Sequence, residues 1–194
     1  MSYHLDLGCG STPRNPYKRD QIYGVDINCS NNNSKNFKEV NLFSEKIPFQ
    51  SNYFDSVSAY DFVEHIPRVM NNKTGGGVRY SFIEVMSEIW RVLKPGGLFF
   101  ASTPFYPNSE VFVDPTHVNF ITDKTHKYFC GDSPMAKIYG FRGQFKVKNI
   151  SKWKPRGEYP FEKKKLSENL KIFRDLIKKR RTHIAWELEA IKEL

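Results

Sequence analysis

The sequence predicts a single α/β domain built on a doubly wound, mostly parallel sheet. One observation is the alternation of short apolar segments with longer connecting segments through residues 1–104, which is typical of strands and crossovers. Another is that residues 4–7 run straight into the glycine turn Gly8-Cys9-Gly10, and that residues 22–27 carry Asp26 near their carboxyl end. A length of 194 residues suits one such core and is too short for two ordinary domains.

The other strands of the amino-terminal half are expected at residues 37–41, 54–60 and 98–102. Pro13 and Pro16 lie between the first two strands, and because proline interrupts a helix this connection is predicted to be a loop with at most a short helix. Before the fifth strand, apolar residues recur at helical spacing from Phe82 to Leu93. The sequence Lys94-Pro95-Gly96-Gly97 is expected to end that helix.

The carboxyl-terminal part is less regular. Residues 145–153 alternate between apolar and polar side chains and predict a strand. A basic helical insertion is expected near residues 162–181, because apolar residues share one helical face there. Residues 182–192 fit two interpretations, since Ile184, Trp186 and Leu188 alternate as in a strand, whereas Ile184, Leu188 and Ile191 have helical spacing. We favour the strand, because a sheet of this kind needs a closing partner for the strand before it.

Composition and charge predict a cytoplasmic protein without a membrane span. No apolar run approaches the roughly 20 residues that a spanning helix needs, and the chain opens without a basic and apolar leader. Its three cysteines lack metal-ligand spacing and are interpreted as free thiols of a reducing compartment. The net charge is +9, but residues 146–194 hold 15 Lys and Arg against 7 acidic residues. Such a local excess is more often a solvated helix face than a nucleic-acid site, so nucleic acid is not favoured as a partner.

A strand, a glycine turn and an acidic residue at the end of the next strand form a nucleoside-binding arrangement. Glycines allow the backbone to approach a ligand closely, and the carboxylate of Asp26 can accept hydrogen bonds from ribose hydroxyls. A dinucleotide site needs a third glycine where this chain has Pro13, and it holds pyrophosphate at a helix N-terminus. The prolines therefore favour a nucleoside ligand without a pyrophosphate.

Four motifs resemble those of class I S-adenosylmethionine-dependent methyltransferases of the methyltransferase-11 type: LDLGCG at 5–10, GVDI at 24–27, FDSVSAYDFVEHI at 54–66 and EIWRVLKPGG at 88–97. They follow the family's order and spacing and cover residues 4–104. The resemblance implies a seven-stranded, Rossmann-like sheet of order 3-2-1-4-5-7-6 with the seventh strand antiparallel, here minimal and without the usual N-terminal helix. It also implies S-adenosyl-L-methionine (SAM) as the cofactor.

The resemblance assigns cofactor-binding roles along these motifs. It implies that the Gly8-Cys9-Gly10 turn and Asp6 shape the pocket for the methionine part of SAM. Asp26 would bind the ribose and Ile27 would pack on the adenine. The remaining implied contacts are Asn41 and Leu42 on the adenine side, and Ala59, Tyr60 and Asp61 on the sulfonium side.

Residues 105–144 are expected to overhang the acceptor site, and they contain the candidate catalytic residues. His117 is the best candidate for a general base, with Asp114 as its orienting partner. The alternative is that this segment is a turn in which His117 bonds to backbone. Glu64 and His65 are interpreted as a helix-start element. No metal site is predicted, because Asp114, His117, Asp123 and His126 lack the paired-helix spacing of a ligand set.

We expect oxygen methylation of a small-molecule, glycan or nucleotide-sugar acceptor, since residues after the fifth strand resemble methyltransferases of bacterial sugar and polysaccharide biosynthesis. Five basic residues are candidates for phosphate contacts: Arg68, Lys73, Arg79, Lys124 and Arg142. An RNA or protein methyltransferase that docks its substrate on the basic carboxyl-terminal region remains an alternative, as does a non-catalytic partner subunit. The domain is expected to comprise a SAM-binding half at 1–104, an acceptor-side segment at 105–144 and closing strands at 145–194. The sequence predicts no oligomeric state.

Overall fold

The computed structural model describes residues 1–28, 35–71, 75, 77–155, 159–161, 174–175 and 180–193. Nine strands are present there: β1 Tyr3–Leu7, β2 Gln21–Asp26, β3 Phe37–Glu39, β4 Phe54–Tyr60, β5 Met70–Asn71, β6 Val78–Arg79, β7 Leu93–Pro104, β8 Phe145–Trp153 and β9 His183–Ala190. One complete α-helix, α1, spans Ser81–Val92, and short 3-10 helices cover Val63–His65, Ser109–Phe112, Thr125–Phe129 and Met135–Tyr139.

Seven of these strands form one sheet in the order β3-β2-β1-β4-β7-β9-β8, and β5 and β6 form a separate hairpin. The strands from β3 to β7 pair in parallel, whereas β9 is antiparallel to both β7 and β8. Numbered along the chain within the sheet, this is the order 3-2-1-4-5-7-6 with the seventh strand antiparallel. The fold prediction is confirmed.

Most predicted elements occur near their predicted bounds. The connection between β1 and β2 contains no helix, and residues 183–190 form a strand rather than a helix. The larger differences concern β3, which ends at Glu39 rather than at residue 41, and β7, which covers Leu93–Pro104 rather than 98–102. Leu93 therefore belongs to β7 and not to α1, which ends at Val92. The predicted helical insertion near 162–181 lies largely outside the described residues.

The two faces of the sheet are covered differently. Leu5 and Leu7 of β1 join the main hydrophobic core, which also contains the buried face of α1 at Ile83, Met86 and Ile89. Because side chains alternate along a strand, His4 and Asp6 lie on the opposite face, where both are buried. That face is covered by the loop after β1 and by a smaller aromatic cluster: Tyr60, Phe100, Trp153 and Ala185, with Tyr17, Tyr159 and Phe161 packed against them.

The carboxyl ends of β1, β2 and β4 meet at one edge of the sheet. The strand order reverses at β1, because β2 and β3 lie on one side of it and β4 and β7 on the other. Ligands of open α/β sheets bind in the crevice outside such a switch point. None of the described helices is long and apolar enough to cross a membrane.

Candidate active site

The glycine turn after β1 is fastened to the end of β2. The amides of Gly8 and Cys9 donate to the carbonyl of Val25 at 2.9 and 3.3 Å, and the amide of Gly10 donates to Oδ2 of Asp26 at 2.8 Å. Gly8 has a φ of +63°, and a Cβ added there would lie 2.7 Å from Cδ2 of Phe62. Only glycine therefore fits this position without strain or displacement of the ring.

A cleft of about 220 Å³ opens beside this turn. Six of the predicted cofactor residues line it: Gly8, Asp26, Ile27, Asn41, Leu42 and Asp61. The sequence interpretation did not name the other four lining residues as cofactor contacts: Val40, Phe43, Phe62 and His65. Phe43 and Phe62 stack with ring centroids 6.0 Å apart, so an aromatic wall faces the glycine turn.

The residues of the cleft fit an adenosine group. Oδ1 of Asp26 accepts from the amide of Asn28 at 3.0 Å and Oδ2 accepts from Gly10, which fixes the carboxylate at the edge of the cleft. A carboxylate oxygen can accept more than one hydrogen bond, so a carboxylate placed here suits ribose hydroxyls. Ile27 and Leu42 supply apolar surface on which a base can pack. The assignment of each contact to a part of SAM remains a prediction.

The other five predicted cofactor residues do not line the cleft. Asp6 is buried and accepts from the amide of Arg14 at 2.8 Å and from the hydroxyl of Ser58, so it fixes the loop after the glycine turn. Tyr60 lies on the same face of the sheet as Asp6, away from α1, and the Arg14 guanidinium is 4.4 Å from its ring centroid. Cys9 is buried, and its Sγ lies 2.6 Å from where a Cβ on Gly24 would stand. Gly10 and Ala59 are the other two predicted cofactor residues that do not line the cleft.

A buried hydrogen-bond chain supports Asp6. Ser58 gives its one proton to Asp6, so Nε2–H of His4 donates to Ser58 at 2.9 Å, and Nδ1 of His4 accepts from Ser56 at 2.8 Å. Burial, reinforced by the charge of Arg19, lowers the pKa of His4 to about 3. His4 is therefore neutral in the folded protein at ordinary pH, and the chain ties β1 and β4 to the glycine loop.

Asp61 is held at the cleft by the neighbouring strands. It follows β4 with a φ of +47°, its amide donates to the carbonyl of Ser102 at 2.8 Å, and its Oδ1 lies 3.0 Å from Nε2 of His183. The left-handed backbone conformation turns the chain directly after β4. Strand β9, which carries His183, therefore helps to position a residue of the cleft.

One ring nitrogen of His117 is held by the backbone and the other lies between two carboxyl groups. Nδ1 lies 3.0 Å from the carbonyl oxygen of Val111, which can only accept, so Nδ1 carries a hydrogen. Nε2 lies 4.0 Å from Oε1 of Glu64 and 4.0 Å from Oδ2 of Asp114. The backbone bond that the alternative interpretation expected is thus present, and it leaves Nε2 as the ring nitrogen that can act on an acceptor.

His65 is fixed in the same tautomer. The hydroxyl of Thr116 donates to Oδ1 of Asp114 at 2.6 Å, so it accepts from Nδ1–H of His65 at 2.9 Å. The rings of His65 and His117 meet edge to face, 4.8 Å apart. Asp114 lies beside both histidines, because its Oδ2 is 4.0 Å from Nε2 of His117 and its Oδ1 is linked to His65 through Thr116. Its orienting role toward His117 stays a prediction. His65 also lines the cleft, so it joins the cofactor site to His117.

Glu64 is buried beside these two histidines. Its side chain is 1% exposed, and neither carboxylate oxygen has a hydrogen-bond partner among the described residues. Burial, reinforced by the charge of Asp61, raises the pKa of Glu64 to about 8. A hydrogen bond from the Thr103 hydroxyl would lower this pKa, but that hydroxyl donates to the carbonyl of Pro104 at 3.3 Å instead. Glu64 and His65 lie in the short 3-10 helix Val63–His65, as their helical interpretation expected, and both lie close to His117.

The sequence-neighbouring acids and histidines do not form one cluster. Asp123 pairs with Lys152 at 3.3 Å, and His126 is buried with its ring 6.1 Å from Trp186. Distance along the chain from the end of β4 could have indicated the neighbours of His117. Glu64 and His65 follow the carboxyl end of β4 by a few residues, so they lie at the same edge of the sheet as the glycine turn.

A sheet of this order, with a glycine turn beside an acidic residue at the end of the second strand, places the protein among the class I methyltransferases. Sequence comparison gives the family: a family model described as a methyltransferase domain matches residues 5–101, half of the chain, and the protein belongs to that family. S-adenosyl-L-methionine is its cofactor. No functionally curated protein matches the sequence.

Solved structures share the fold at low sequence identity. A protein of Haloferax volcanii, described as a methyltransferase in complex with the activator Trm112, has a TM-score of 0.59 and 13% identity, over 98% of this chain and 83% of its own. A SAM-dependent methyltransferase from Archaeoglobus fulgidus has a TM-score of 0.55 and 17% identity, over 97% and 86%. The [4+2]-cyclase SpnF has a TM-score of 0.57 and 15% identity, over 99% and 75%. Since the fold also carries a cyclase, the family assignment rests on the sequence match.

Proposed function

We propose that the protein methylates a hydroxyl oxygen of a small-molecule or glycan-linked acceptor, such as a nucleotide sugar. The observation that carries this proposal is the position of His117, whose Nδ1 is held by the Val111 carbonyl and whose ring contacts His65, a residue of the cofactor cleft. A hydroxyl becomes a competent nucleophile when its proton is removed, and a positioned base contributes roughly 10²–10⁴-fold to such a step.

His117 acts in this proposal as the base. Its Nε2 takes the hydroxyl proton, the acceptor oxygen forms a bond to the methyl carbon, and the carbon–sulfur bond breaks with its electron pair remaining on sulfur. SAM supplies a methyl group already activated by positive sulfur. The remaining contribution of the protein is to hold the acceptor in line and to exclude water, and positioning of this kind can supply roughly 7–11 kcal/mol. Asp114 acts as a positioning residue through Thr116 and His65.

Exposed aromatic residues in the segment that carries His117 support a sugar-like acceptor. Tyr106, Phe112 and Phe120 are each about half exposed in the same segment, and Phe112 and Phe120 lie 5.4 Å apart. The Arg68 guanidinium lies 5.0 Å from the Phe120 ring. Aromatic faces pack against the apolar faces of sugar rings, and a guanidinium binds phosphate through paired hydrogen bonds. Of the other basic candidates, Arg79 already forms an ion pair with Glu84, so its guanidinium is less available to bind phosphate.

The two alternatives gain less support from the described residues. Much of the basic carboxyl-terminal region lies outside them, so no described contact favours RNA or a protein substrate. A non-catalytic subunit has no need of an intact glycine turn fastened to Asp26, although the Trm112 complex of the Haloferax protein makes dependence on a partner worth testing.

An acceptor screen with methyl-labelled SAM tests the proposal. Free sugars, nucleotide sugars and RNA are offered in parallel, and the methylated atom is assigned from the product. We expect label in an ether on a sugar or other small hydroxyl compound, with His117→Ala inactive. Label on nitrogen or carbon, or on RNA alone, would overturn the proposal.

A further inference from the structure

Three groups lie together beside the cleft, the imidazoles of His65 and His117 and one carboxyl. In each histidine Nδ1 is already engaged, with the Val111 carbonyl in His117 and with the Thr116 hydroxyl in His65, so Nε2 is the ring nitrogen that a ligand would take. The third group is the carboxyl of Glu64, which is 1% exposed and whose two oxygens lack partners among the described residues. Acceptors that face one another in a buried place need either protons or a cation between them.

We propose that Glu64, His65 and His117 bind a divalent transition-metal cation. One ligand atom from each of the three lies within 4.8 Å of the others. Two imidazoles and a carboxylate are a ligand set that catalytic zinc and non-haem iron sites use, and such sites keep a further position open. The consequence for catalysis rests on the proposed oxygen methylation, whereas the binding of the cation does not.

The surroundings of the two histidines are those of metal ligands. A ligating histidine usually donates its second ring N–H to a backbone carbonyl or to a carboxylate network, which fixes the ring and its tautomer. His117 donates to the Val111 carbonyl, and His65 donates to Thr116, which in turn donates to Asp114. Asp114, whose side chain is 46% exposed, thus supports the cluster indirectly by holding Thr116 against His65.

The spacing requires a small contraction. Ligand atoms around a cation with bonds of about 2.0–2.1 Å lie roughly 3.0–3.4 Å apart. The present distance from Nε2 of His117 to Oε1 of Glu64 is 4.0 Å. This pair must close by roughly 0.6–1 Å, and the widest pair of the three, which is at most 4.8 Å apart, by up to roughly 1.8 Å. Side-chain rotations can supply this closure, and it would give the buried carboxylate the partner that it lacks.

The open position gives the site a role in the reaction. His65 borders the cofactor cleft, so an acceptor that lies beside the bound cofactor can reach the coordination shell. A coordinated hydroxyl has a lowered pKa and releases its proton to solvent. Its oxygen then forms the carbon–oxygen bond while the carbon–sulfur bond breaks and its electron pair stays on sulfur. With the cation bound, His117 serves as a ligand and the cation replaces it in activating the hydroxyl.

Calorimetry on the chelator-stripped full chain tests the inference, with Zn²⁺ and Mn²⁺ as separate probes. We expect one equivalent to bind, and Glu64→Gln and His117→Gln each to weaken binding by about tenfold or more, as losses around metal sites commonly do. Asp123→Asn is the matched control, because Asp123 pairs with Lys152 outside the cluster, and its affinity should equal that of the unmodified protein. Zn²⁺ should raise the melting temperature of the unmodified protein and not that of Glu64→Gln, which changes one atom and should fold.

Absence of binding at millimolar cation, or binding that both variants retain, would overturn the inference. Methyl transfer that continues in chelator and is lost in His117→Ala would overturn the cation and leave His117 as the base. Binding that depends on Glu64 and His117, in a protein that never methylates oxygen, would support the cation site and overturn the proposed function. The two proposals therefore fail by different results.

Discussion

Replacing Asp26 with alanine is expected to weaken SAM binding by roughly 10- to 150-fold. In the structure Asp26 lines the cleft and its two oxygens accept from the amides of Gly10 and Asn28, which holds the carboxylate where a ribose would lie. A carboxylate oxygen can accept more than one hydrogen bond. A hydrogen bond to a charged group contributes about 1.5–3 kcal/mol, and about 1.4 kcal/mol corresponds to tenfold in affinity. The lower limit corresponds to one lost ribose contact with the turn intact, and the upper limit adds the loosened turn.

Calorimetry with SAM and with S-adenosylhomocysteine measures this effect. Asp26→Asn keeps an oxygen for Gly10 but loses the charge, so its affinity should lie between those of the unmodified protein and Asp26→Ala. Glu39→Ala is the matched control, because Glu39 is an exposed carboxylate paired in register with Asp26 that does not line the cleft. Unchanged affinity of Asp26→Ala for both ligands would remove the ribose role.

Three further predictions concern the loop, the buried histidine and the basic region. Gly8→Ala should abolish most SAM binding, because Gly8 has a φ of +63° and its added Cβ would lie 2.7 Å from Phe62. Gly10→Ala is the control and should bind SAM better than Gly8→Ala, because Gly10 has a φ of +55° but an added Cβ would meet nothing within 4 Å. Equal losses of affinity in the two variants would contradict the role of the Phe62 contact. Stability should fall as pH drops from about 6.5 to about 3, by up to roughly 1.4 kcal/mol per pH unit, because His4 takes a proton there only in the unfolded chain. Urea unfolding should show a shallower pH slope for His4→Gln, and an identical slope would contradict the assignment. Neutralising Lys178, Lys179, Arg180 and Arg181 should leave turnover on a small acceptor largely intact, whereas submicromolar RNA binding by the unmodified protein, with a steep salt slope, would favour the RNA alternative.

The strands could be predicted because local sequence determines them here. Residues 54–60 and 145–153 are strands with the predicted bounds, since turn residues flank each apolar segment. The strand at His183–Ala190 was chosen for a non-local reason, the need for a partner between β7 and β8, and that reason proved sufficient. The start of β7 at Leu93 was missed, because an apolar residue at helical spacing also suits a buried strand position.

The site was harder to predict, because it depends on which face a side chain occupies. Strand alternation places Tyr60 with His4 and Asp6 on the face away from α1, so period-two spacing could have separated Tyr60 from the cleft. No local sequence pattern predicts that His117 lies beside Glu64, because the two residues are 53 positions apart in the chain. They become neighbours only because the chain folds back after β7. The motif resemblance found the cofactor side because it spans contiguous residues, whereas the acceptor side is assembled from distant segments.

A single-turnover measurement of methyl transfer by His117→Ala tests the central claim most directly. Melting temperature, SAM affinity and rate are measured on the same preparation with the acceptor found by screening. The account predicts a rate lower by roughly 10²–10⁴-fold, with SAM affinity near normal, because His117 does not line the cofactor cleft. A variant that melts early but transfers the methyl group at the normal rate would contradict the account, since His117 would then only stabilise the fold.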